Sequence, residues 1–547
     1  MRGLSCFVTI IPVLLGLACT ESREPAVKRL EMDAEALYQG YRAEKVRLDK
    51  QAGAVVLDSK KTGDQPAGRL ETDVLDPFDP ANRLVGPGIL PSKVEISCTA
   101  RVPQGTRVEL SASFGNRYFS EEGWSEWLPL EGLSHSFSRP PGRYVRVRLV
   151  LSSGDPEVSP QVESLRLTAA YPFADRPEHG SLELALYDNQ DIVLSPVTFE
   201  YERPDQPVIR DFVLRNGLAG VVAACETELD TLSAVNHWVA RVRNTRHGNF
   251  ANRDYPWDLG LIVSCDEAGK PSIEGHCMSY SIALISALTG LGFHARHWAD
   301  QGFRFADHEV VEVWSDSFRK WIYLDPSLDH YYTGKDTGEP LSLLELHRVF
   351  VDTFFRDGET IRLPMDTQRE RVKEIGGRNV PLVYVSGGYA YGKPNPDYDW
   401  GWYHGYLAAG FLRLTTRNNF HSRPEPRFPY FGQGVQDFDR FLSWSDEKTP
   451  VAEKITRYSD RQRDFYWTLN QAGIKASLGQ GNRLELEFGH SQPFFKRFLV
   501  SVDSAGLSGS GDGFGWDLHP GENKLTVLPE SEWGRRGIPS RLEVVLH

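Results

Sequence analysis

Apolar and polar residues alternate with a period of two in several stretches between residues 67 and 172. The clearest runs are 108–112, 144–150 and 162–167. Successive side chains of a β-strand point to opposite faces of the sheet, so this pattern indicates strands with one buried and one hydrated face. We therefore predict a β-sandwich domain at 67–172. The polar and charged segment 19–66 before it is predicted to be a tether with some helix.

From about residue 196 the apolar residues recur at helical spacing instead. One predicted amphipathic helix carries Leu229, Leu232, Val235, Trp238, Val239 and Val242 on one face. A second helix is predicted to begin near Cys277 and to end at Gly290 and Gly292, because glycine commonly terminates helices.

Short strands are predicted after the second helix, at 294–298, 308–314 and 321–325, with a hairpin loop between the last two. Helices followed by an antiparallel sheet indicate an α+β fold. We assign the range 196–370 to this α+β domain.

The remaining chain divides into two parts. Residues 376–460 are rich in aromatic side chains, among them Trp400 and Trp402. Their sequence pattern predicts no particular fold. Residues 461–547 return to short alternating strands and predict a second β-sandwich.

Composition and charge narrow the class of protein. The chain has 547 residues, 40% of them hydrophobic and 25% charged, which is ordinary for a globular protein of several domains. The formal net charge is −13 and no long run of Lys or Arg occurs, which argues against a nucleic-acid partner. No cofactor is predicted.

The first residues resemble an export signal. A short apolar run at 7–17 follows Arg2, and it is too short to span a bilayer comfortably. We predict a signal peptide at 1–18. The stretch 14–19 resembles a bacterial lipoprotein cleavage box, although Gly16 stands where a larger aliphatic residue is usual. That resemblance implies an exported protein held to the membrane by a lipid on Cys19. The alternative is an ordinary signal and a periplasmic or secreted protein.

Cysteine, histidine and aspartate residues occur in an order that suits nucleophilic catalysis. Cys277 follows Gly275 at the expected start of a helix, where free N–H groups and the helix dipole favour a thiolate. His308 and Asp325 lie on two strands joined by a hairpin, so they can be neighbours near the helix tip. A histidine base and a carboxylate that orients it are what a cysteine nucleophile needs.

The chain resembles the transglutaminase-like superfamily in four blocks. They are 274–278, 290–296, 308–314 and 321–327. The resemblance implies a papain-like α+β core in which Cys277 is the nucleophile, His308 the base and Asp325 the orienting carboxylate. Arg296 would then be a structural arginine. Many members have a small and then an aromatic residue after the histidine, whereas this chain has Glu309 and Val310.

Shorter resemblances concern the flanking domains. The stretches 124–127 and 142–148 resemble jelly-roll accessory modules of secreted carbohydrate enzymes, with a plain structural sandwich as the alternative. The stretch 516–523, followed by a strand, resembles a terminal immunoglobulin-like module.

Two further roles stay open at this point. In animal transglutaminases a tryptophan before the cysteine can donate its indole N–H to the oxyanion. That role falls to Trp257 rather than to Trp238, which lies on an apolar helix face. The backbone N–H of Cys277 is the other donor, and Trp257 is otherwise a packing residue. His276, His294 and His297 suggest a metal, but His294 and His297 face opposite sides of a strand. No metal site is predicted.

The resemblance implies acyl transfer through a thioester. We expect an amidase or protease that acts on peptides, glycopeptides or cell-wall polymers, with Trp400 and Trp402 as substrate-contact aromatics. One alternative is a protein cross-linking transglutaminase. Another is a non-catalytic surface module that binds glycans or proteins.

Overall fold

The protein is described by a computed structural model that covers residues 26–62, 66–78, 90–171, 182–188, 191–242, 259–263, 277–301, 307–354, 382–386, 389–391, 411–423, 441–449, 455 and 457–547. Over these residues the chain is mostly β-sheet with few helices. The helices are α1 (Ala34–Tyr38), α2 (Ser59–Thr62), α3 (Pro207–Arg215), α4 (Leu218–Val221), α5 (Glu228–Val242), α6 (Leu259–Ile262), α7 (Cys277–Gly290), α8 (Leu343–Phe354) and α9 (Gln462–Phe465). None of these helices is long and apolar enough to cross a bilayer.

The N-terminal domain is a sandwich of two antiparallel sheets. One sheet has the order β3-β4-β11-β6-β9 with β1 paired to β11, and the other has the order β2-β5-β10-β7-β8. Its strands are β1 (Ala26–Asp33), β2 (Arg42–Glu44), β3 (Val46–Asp49), β4 (Ala54–Leu57), β5 (Ala67–Glu71), β6 (Lys93–Arg101), β7 (Thr106–Gly115), β8 (Leu128–Pro129), β9 (Ser134–Ser138), β10 (Tyr144–Ser153) and β11 (Gln161–Tyr171).

The alternating residues of β10 and β11 explain this core. Val145, Val147 and Leu149 of β10 are fully buried, and so are Leu165 and Leu167 of β11 on the facing sheet. The polar residues between them point outward, as the period of two requires.

The segment before residue 67 differs from the prediction. The tether expected at 19–66 is wrong for residues 26–57, because β1 and β4 pair with β11 and β2 pairs with β5. β1 is an edge strand whose residues are largely exposed, and it contributes Leu30 and Met32 to the apolar cluster, so its apolar alternation is shorter than that of the central strands. Residues 19–25 lie outside the described residues.

The central domain is built on a six-stranded sheet of order β15-β14-β13-β19-β20-β21, and β16, β17 and β18 form a smaller sheet beside it. Its strands are β13 (Ala295–Gln301), β14 (Asp307–Ser315), β15 (Lys320–Leu324), β16 (His330–Gly334), β17 (Leu382–Ser386), β18 (Tyr389–Tyr391), β19 (Phe411–Thr415), β20 (Phe441–Trp444) and β21 (Tyr458–Ser459). Strand β12 (Leu182–Asp188), which precedes them in the chain, belongs to the C-terminal domain. Strands β19 and β20 come from the aromatic-rich segment to which the sequence assigned no fold.

Helix α7 packs on one face of the central sheet. It is buried all round from Met278 to Thr289, and it contacts Val311 and Val313 of β14 through one apolar cluster. The opposite face carries Trp298 and Trp314, which pack in a second cluster with α8. The body of α7 is thus packed closely against the sheet.

The end of α7 follows from its glycines. Gly292 adopts a φ of +89°, and Phe293 N–H donates to the carbonyl of Leu288 at 2.8 Å, which closes the helix in the left-handed manner that glycine favours. Gly290 lies against α3, where an added Cβ would meet Cγ2 of Val213 at 2.3 Å. The helix predicted from Cys277 to these glycines is confirmed.

The C-terminal domain contains two sheets, of order β12-β28-β27-β24-β25 and β22-β23-β26. Its strands are β22 (Ala472–Leu478), β23 (Arg483–His490), β24 (Phe495–Val502), β25 (Ser508–Ser510), β26 (Gly513–Asp517), β27 (Gly521–Ser531) and β28 (Ser540–Leu546). Residues at the start of the predicted range 461–547 behave differently, because Phe465, Trp467 and Leu469 pack in the central domain's cluster. The predicted boundary at 461 therefore lies too early.

Candidate active site

His308 and Asp325 are brought together by the hairpin of β14 and β15. Val311 pairs with Leu324, so Asp325, just beyond β15, lies diagonally from His308 on the same face. Nε2 of His308 is 2.6 Å from Oδ2 of Asp325, and both residues are buried. This bond fixes the plane of the imidazole ring and leaves Nδ1 for another partner.

The Asp325 carboxylate is itself held in place by the backbone. Its Oδ1 accepts the N–H groups of Ser327 at 2.9 Å and Leu328 at 3.2 Å. The carbonyl of Asp325 accepts the side-chain amide of Asn236 on α5 at 3.3 Å. The Asp325 carboxylate is thus anchored to a turn, and the Asp325 backbone to a helix.

Cys277 is the first residue of α7 and completes the group. Its thiol forms a hydrogen bond with His308, and the backbone N–H of Glu309 donates to the sulfur. Burial raises the pKa of the thiol, the bond with His308 opposes that rise, and the charge of Glu309 adds to it. The net direction is upward, so the resting group is a thiol and not the preformed thiolate that the helix tip alone would favour.

A second histidine near Asp325 was not foreseen from the sequence. Nε2 of His330 lies 3.9 Å from Oδ2 of Asp325, and His330 is fully buried. Burial lowers the pKa of His330 to about 4, which keeps the ring neutral at physiological pH. The turn after β15 returns the chain so that His330 and Asp325 exchange two backbone hydrogen bonds, of 2.8 and 3.1 Å. A positive φ of 54° at Asp329 makes that turn, and only the Pro–Ser–Leu–Asp stretch of the sequence hints at it.

A second carboxylate–histidine pair borders the thiol. Oε2 of Glu309 is 2.6 Å from Nε2 of His297, and both residues are buried. Nδ1 of His297 lies 2.7 Å from the hydroxyl of Thr415 on β19. Glu309 is therefore engaged by His297 beside the Cys277 thiol.

Arg296 and Glu312 form a buried ion pair on the other face of the sheet. Nη2 of Arg296 is 2.6 Å from Oε2 of Glu312, and both side chains are fully buried. Glu312 also accepts the indole N–H of Trp298 at 2.6 Å and the hydroxyl of Tyr466 at 2.8 Å. These contacts show Arg296 as a structural arginine, as predicted, and they tie the strand that carries His308 to the segment around Tyr466.

Several predicted site residues lie outside the described residues. They are Trp257, Trp400, Trp402 and Cys19. Trp238, which the sequence placed on an apolar helix face, packs edge-to-face against Phe212 with ring centroids 5.9 Å apart. Its role is packing.

The described cysteines form no disulfide. Cys98, Cys225 and Cys277 are free thiols, and Cys225 is half-exposed. Within the described ranges no three His, Cys, Asp or Glu side chains are grouped in a way that could hold a metal ion. His294 precedes β13 and is buried, and burial lowers its pKa to about 3.

No protein-family model matches the chain, and no curated protein matches it. Among solved structures, the Glycosylation Associate Protein (Gap123) complex from Streptococcus agalactiae is 11% identical, with a TM-score of 0.16 over 29% of this chain and 45% of that chain. The chain thus spans less than half of that protein's length.

Two other solved structures show similarly low scores. Accessory secretory protein 1, 2 and 3 of Streptococcus pneumoniae is 14% identical, with a TM-score of 0.16 over 28% of this chain and 99% of that chain. Red sea bream transglutaminase is 11% identical, with a TM-score of 0.18 over 85% of this chain and 96% of that chain. Scores this low do not establish a shared fold, and none of these likenesses assigns an activity to this chain.

Proposed function

We propose that this protein is a cysteine acyl-transfer enzyme of the transglutaminase-like superfamily, in which Cys277 is the nucleophile, His308 the base and Asp325 the orienting carboxylate. The observation that carries the proposal is the continuous chain of hydrogen bonds from the thiol through His308 to Asp325, with 2.6 Å between the last two side chains. Such a chain of nucleophile, base and orienting group is the arrangement that acyl transfer requires.

The chemistry proceeds in two halves. His308 takes the proton of the Cys277 thiol as the sulfur attacks the carbonyl carbon of an amide, and a tetrahedral intermediate forms. The imidazolium then gives that proton to the departing amine, which leaves a thioester on Cys277. In the second half, water loses a proton to His308, attacks the thioester and releases the acid and the thiol.

The raised pKa of Cys277 favours this general-base route over a standing thiolate–imidazolium pair. Asp325 then acts by holding the ring with Nε2 engaged and by stabilising the imidazolium that forms during attack. The neutral His330 beside Asp325 adds no positive charge that would compete with His308 for the carboxylate.

The molecule that accepts the acyl group from Cys277, either water or an amine, decides the reaction class. We favour hydrolysis, and therefore an amidase or protease that acts on peptide, glycopeptide or cell-wall amides. Transfer to an amine, which would make the protein a cross-linking transglutaminase, is the alternative outcome of the same experiment.

The experiment compares wild-type protein with Cys277→Ala on peptide, glycopeptide and cell-wall peptide libraries, with and without a fluorescent primary amine. Cleavage that requires Cys277 is the expected result. Incorporation of the amine in excess of cleavage would reassign the protein to cross-linking, and no Cys277-dependent change in any library would contradict the proposal. Cys225→Ala, which removes a half-exposed thiol outside the site, is the matched control and should behave as wild type.

We also propose that the protein is exported and carries a lipid on Cys19. The support is the apolar run that precedes this cysteine. Mature protein from native cells should begin at Cys19 with the mass of a lipid attached. An N-terminus before Cys19, or an unmodified cysteine, would contradict this.

A further inference from the structure

Arg413, on strand β19, is buried, with only 6% of its surface exposed. Its Nε atom is enclosed and has no hydrogen-bond partner among the described residues. Its guanidinium lies 5.3 Å from the centroid of the Phe441 ring. A buried cation without a counter-charge is unfavourable, so a protein retains one where an anion arrives from elsewhere.

The register of the sheet places Arg413 on the face of the central sheet on which helix α7 packs, the helix that begins at Cys277. Ala299 of β13 pairs with Glu309 on one side and with Arg413 on the other. Residues that pair directly across strands lie on the same face, so Arg413 shares the face of Glu309, whose backbone N–H donates to the Cys277 sulfur. Two strand spacings put the Arg413 backbone about 10 Å from that of Glu309.

The described carboxylate on this face of β14 is already engaged. Glu309 is held by His297 at 2.6 Å.

We infer that Arg413 binds a carboxylate of the acyl substrate, so that the enzyme prefers acyl groups that carry a negative charge several atoms from the reacting carbonyl. This rests on the proposed function, since Cys277 must accept the acyl group. A guanidinium binds a carboxylate through two parallel hydrogen bonds, and Phe441 on its side would keep the guanidinium plane oriented. Arg413 is on this account a specificity-determining residue.

The test uses p-nitrophenyl half-esters of straight-chain dicarboxylic acids of increasing length, each compared with the ester that ends in a carboxamide. The sulfur of Cys277 forms a bond to the acyl carbon, nitrophenolate leaves with the electron pair, and the thiol proton passes through His308 to water. For each chain length, the acylation rate constant of the half-ester is divided by that of the ester ending in a carboxamide. The rate with Cys277→Ala is subtracted from both beforehand.

For wild type we expect this ratio to peak at one chain length. In Arg413→Gln the ratio at that length should fall by about tenfold to a hundredfold, the usual effect of losing a charged hydrogen bond. Arg413→Lys should retain part of the preference because it retains the charge. Arg423→Gln, which removes an exposed arginine paired with Glu200, is the matched control and should keep the wild-type ratio.

A ratio that shows no peak in wild type, or a peak that Arg413→Gln leaves intact, would overturn the inference while leaving the proposed function standing. Absence of Cys277-dependent acylation by every ester, neutral ones included, would instead contradict the proposed function. If Arg413→Gln does not fold, inhibition of the wild-type protein by a free dicarboxylate and by its diamide tests the inference instead. Free glutarate should slow acylation by the neutral esters more than glutaramide does, and equal inhibition would overturn the inference.

Discussion

Nε2 of His308 lies 2.6 Å from Oδ2 of Asp325, and both side chains are buried. A hydrogen bond between a histidine and a carboxylate in such surroundings fixes both the tautomer and the orientation of the ring. The thiol of Cys277 bonds the same ring. Each of the following expectations depends on this arrangement or on the packing that maintains it.

Replacing Asp325 with Asn should slow acylation of Cys277 by on the order of a thousandfold, because the amide no longer favours the tautomer that accepts the thiol proton. The burst of nitrophenolate from p-nitrophenyl acetate measures this rate. Asp329→Asn is a matched control, since Asp329 contacts His237 at 2.5 Å instead of His308. Equal losses in the two variants would mean that Asp325 acts only through folding.

Replacing His308 with Gln should shift the reactivity of Cys277 to higher pH. The bond with His308 lowers the pKa of a thiol that burial raises, so its loss leaves the burial effect unopposed. The measurement is the rate of iodoacetamide labelling of Cys277 as a function of pH in native protein. Labelling of Cys225 in the same sample should keep its profile. A Cys277 profile that stays where it was would show that His308 does not share the thiol proton.

The stability of the protein should fall as the pH drops from 6.5 toward 4. Burial lowers the pKa of His330 to about 4 and that of His294 to about 3, from an ordinary value of 6.5. At a pH between the ordinary and the lowered pKa, these histidines bind protons in the unfolded chain but not in the folded chain. Their contribution to the free energy of unfolding is therefore largest above pH 6.5 and decreases as the pH falls below it.

Urea midpoints at pH 7 and pH 5 measure this effect. His330→Asn should reduce the difference between the two midpoints, whereas His547→Asn, at an exposed terminal residue, should not. A difference that is the same in His330→Asn as in wild type would contradict the assignment of a buried neutral His330.

Gly290→Ala should destabilise the protein by about 1–3 kcal/mol, because the new methyl group would meet Cγ2 of Val213 at 2.3 Å where α3 packs on α7. Gly220→Ala is the control in another helix, where an added Cβ meets nothing within 4 Å. Thermal melting of both variants checks this. A melting temperature of Gly290→Ala at or above that of Gly220→Ala would show that the two helices do not pack this closely.

Local patterns in the sequence predicted the helix and the strands that carry the candidate site. The helix that starts at Cys277 and the strands around His308 and Asp325 were predictable because each is set by short-range periodicity and by glycines at the helix end. The hairpin between β14 and β15 then brings two of these residues together over a short stretch of chain. The predicted roles of the three residues remain a proposal.

Other contacts were not predictable because they join distant parts of the chain. Arg296 donates to the carbonyl of Phe465, far along the sequence, and periodicity carries no information about such pairs. His330 reaches Asp325 through a turn with a positive φ at a non-glycine residue. Strand β1 was missed because this edge strand contributes only the short alternation of Leu30 and Met32 to the apolar cluster.

The central claim is that Cys277 accepts acyl groups with help from His308. It is tested most directly by mixing the protein with p-nitrophenyl acetate and mapping the acetyl adduct by mass spectrometry. The account predicts a stoichiometric burst of nitrophenolate and an acetyl thioester on Cys277, absent in Cys277→Ala, strongly slowed in His308→Gln and unchanged in Cys225→Ala. An adduct that forms on Cys277 at the same rate without His308, or that does not form on Cys277 at all, would contradict it.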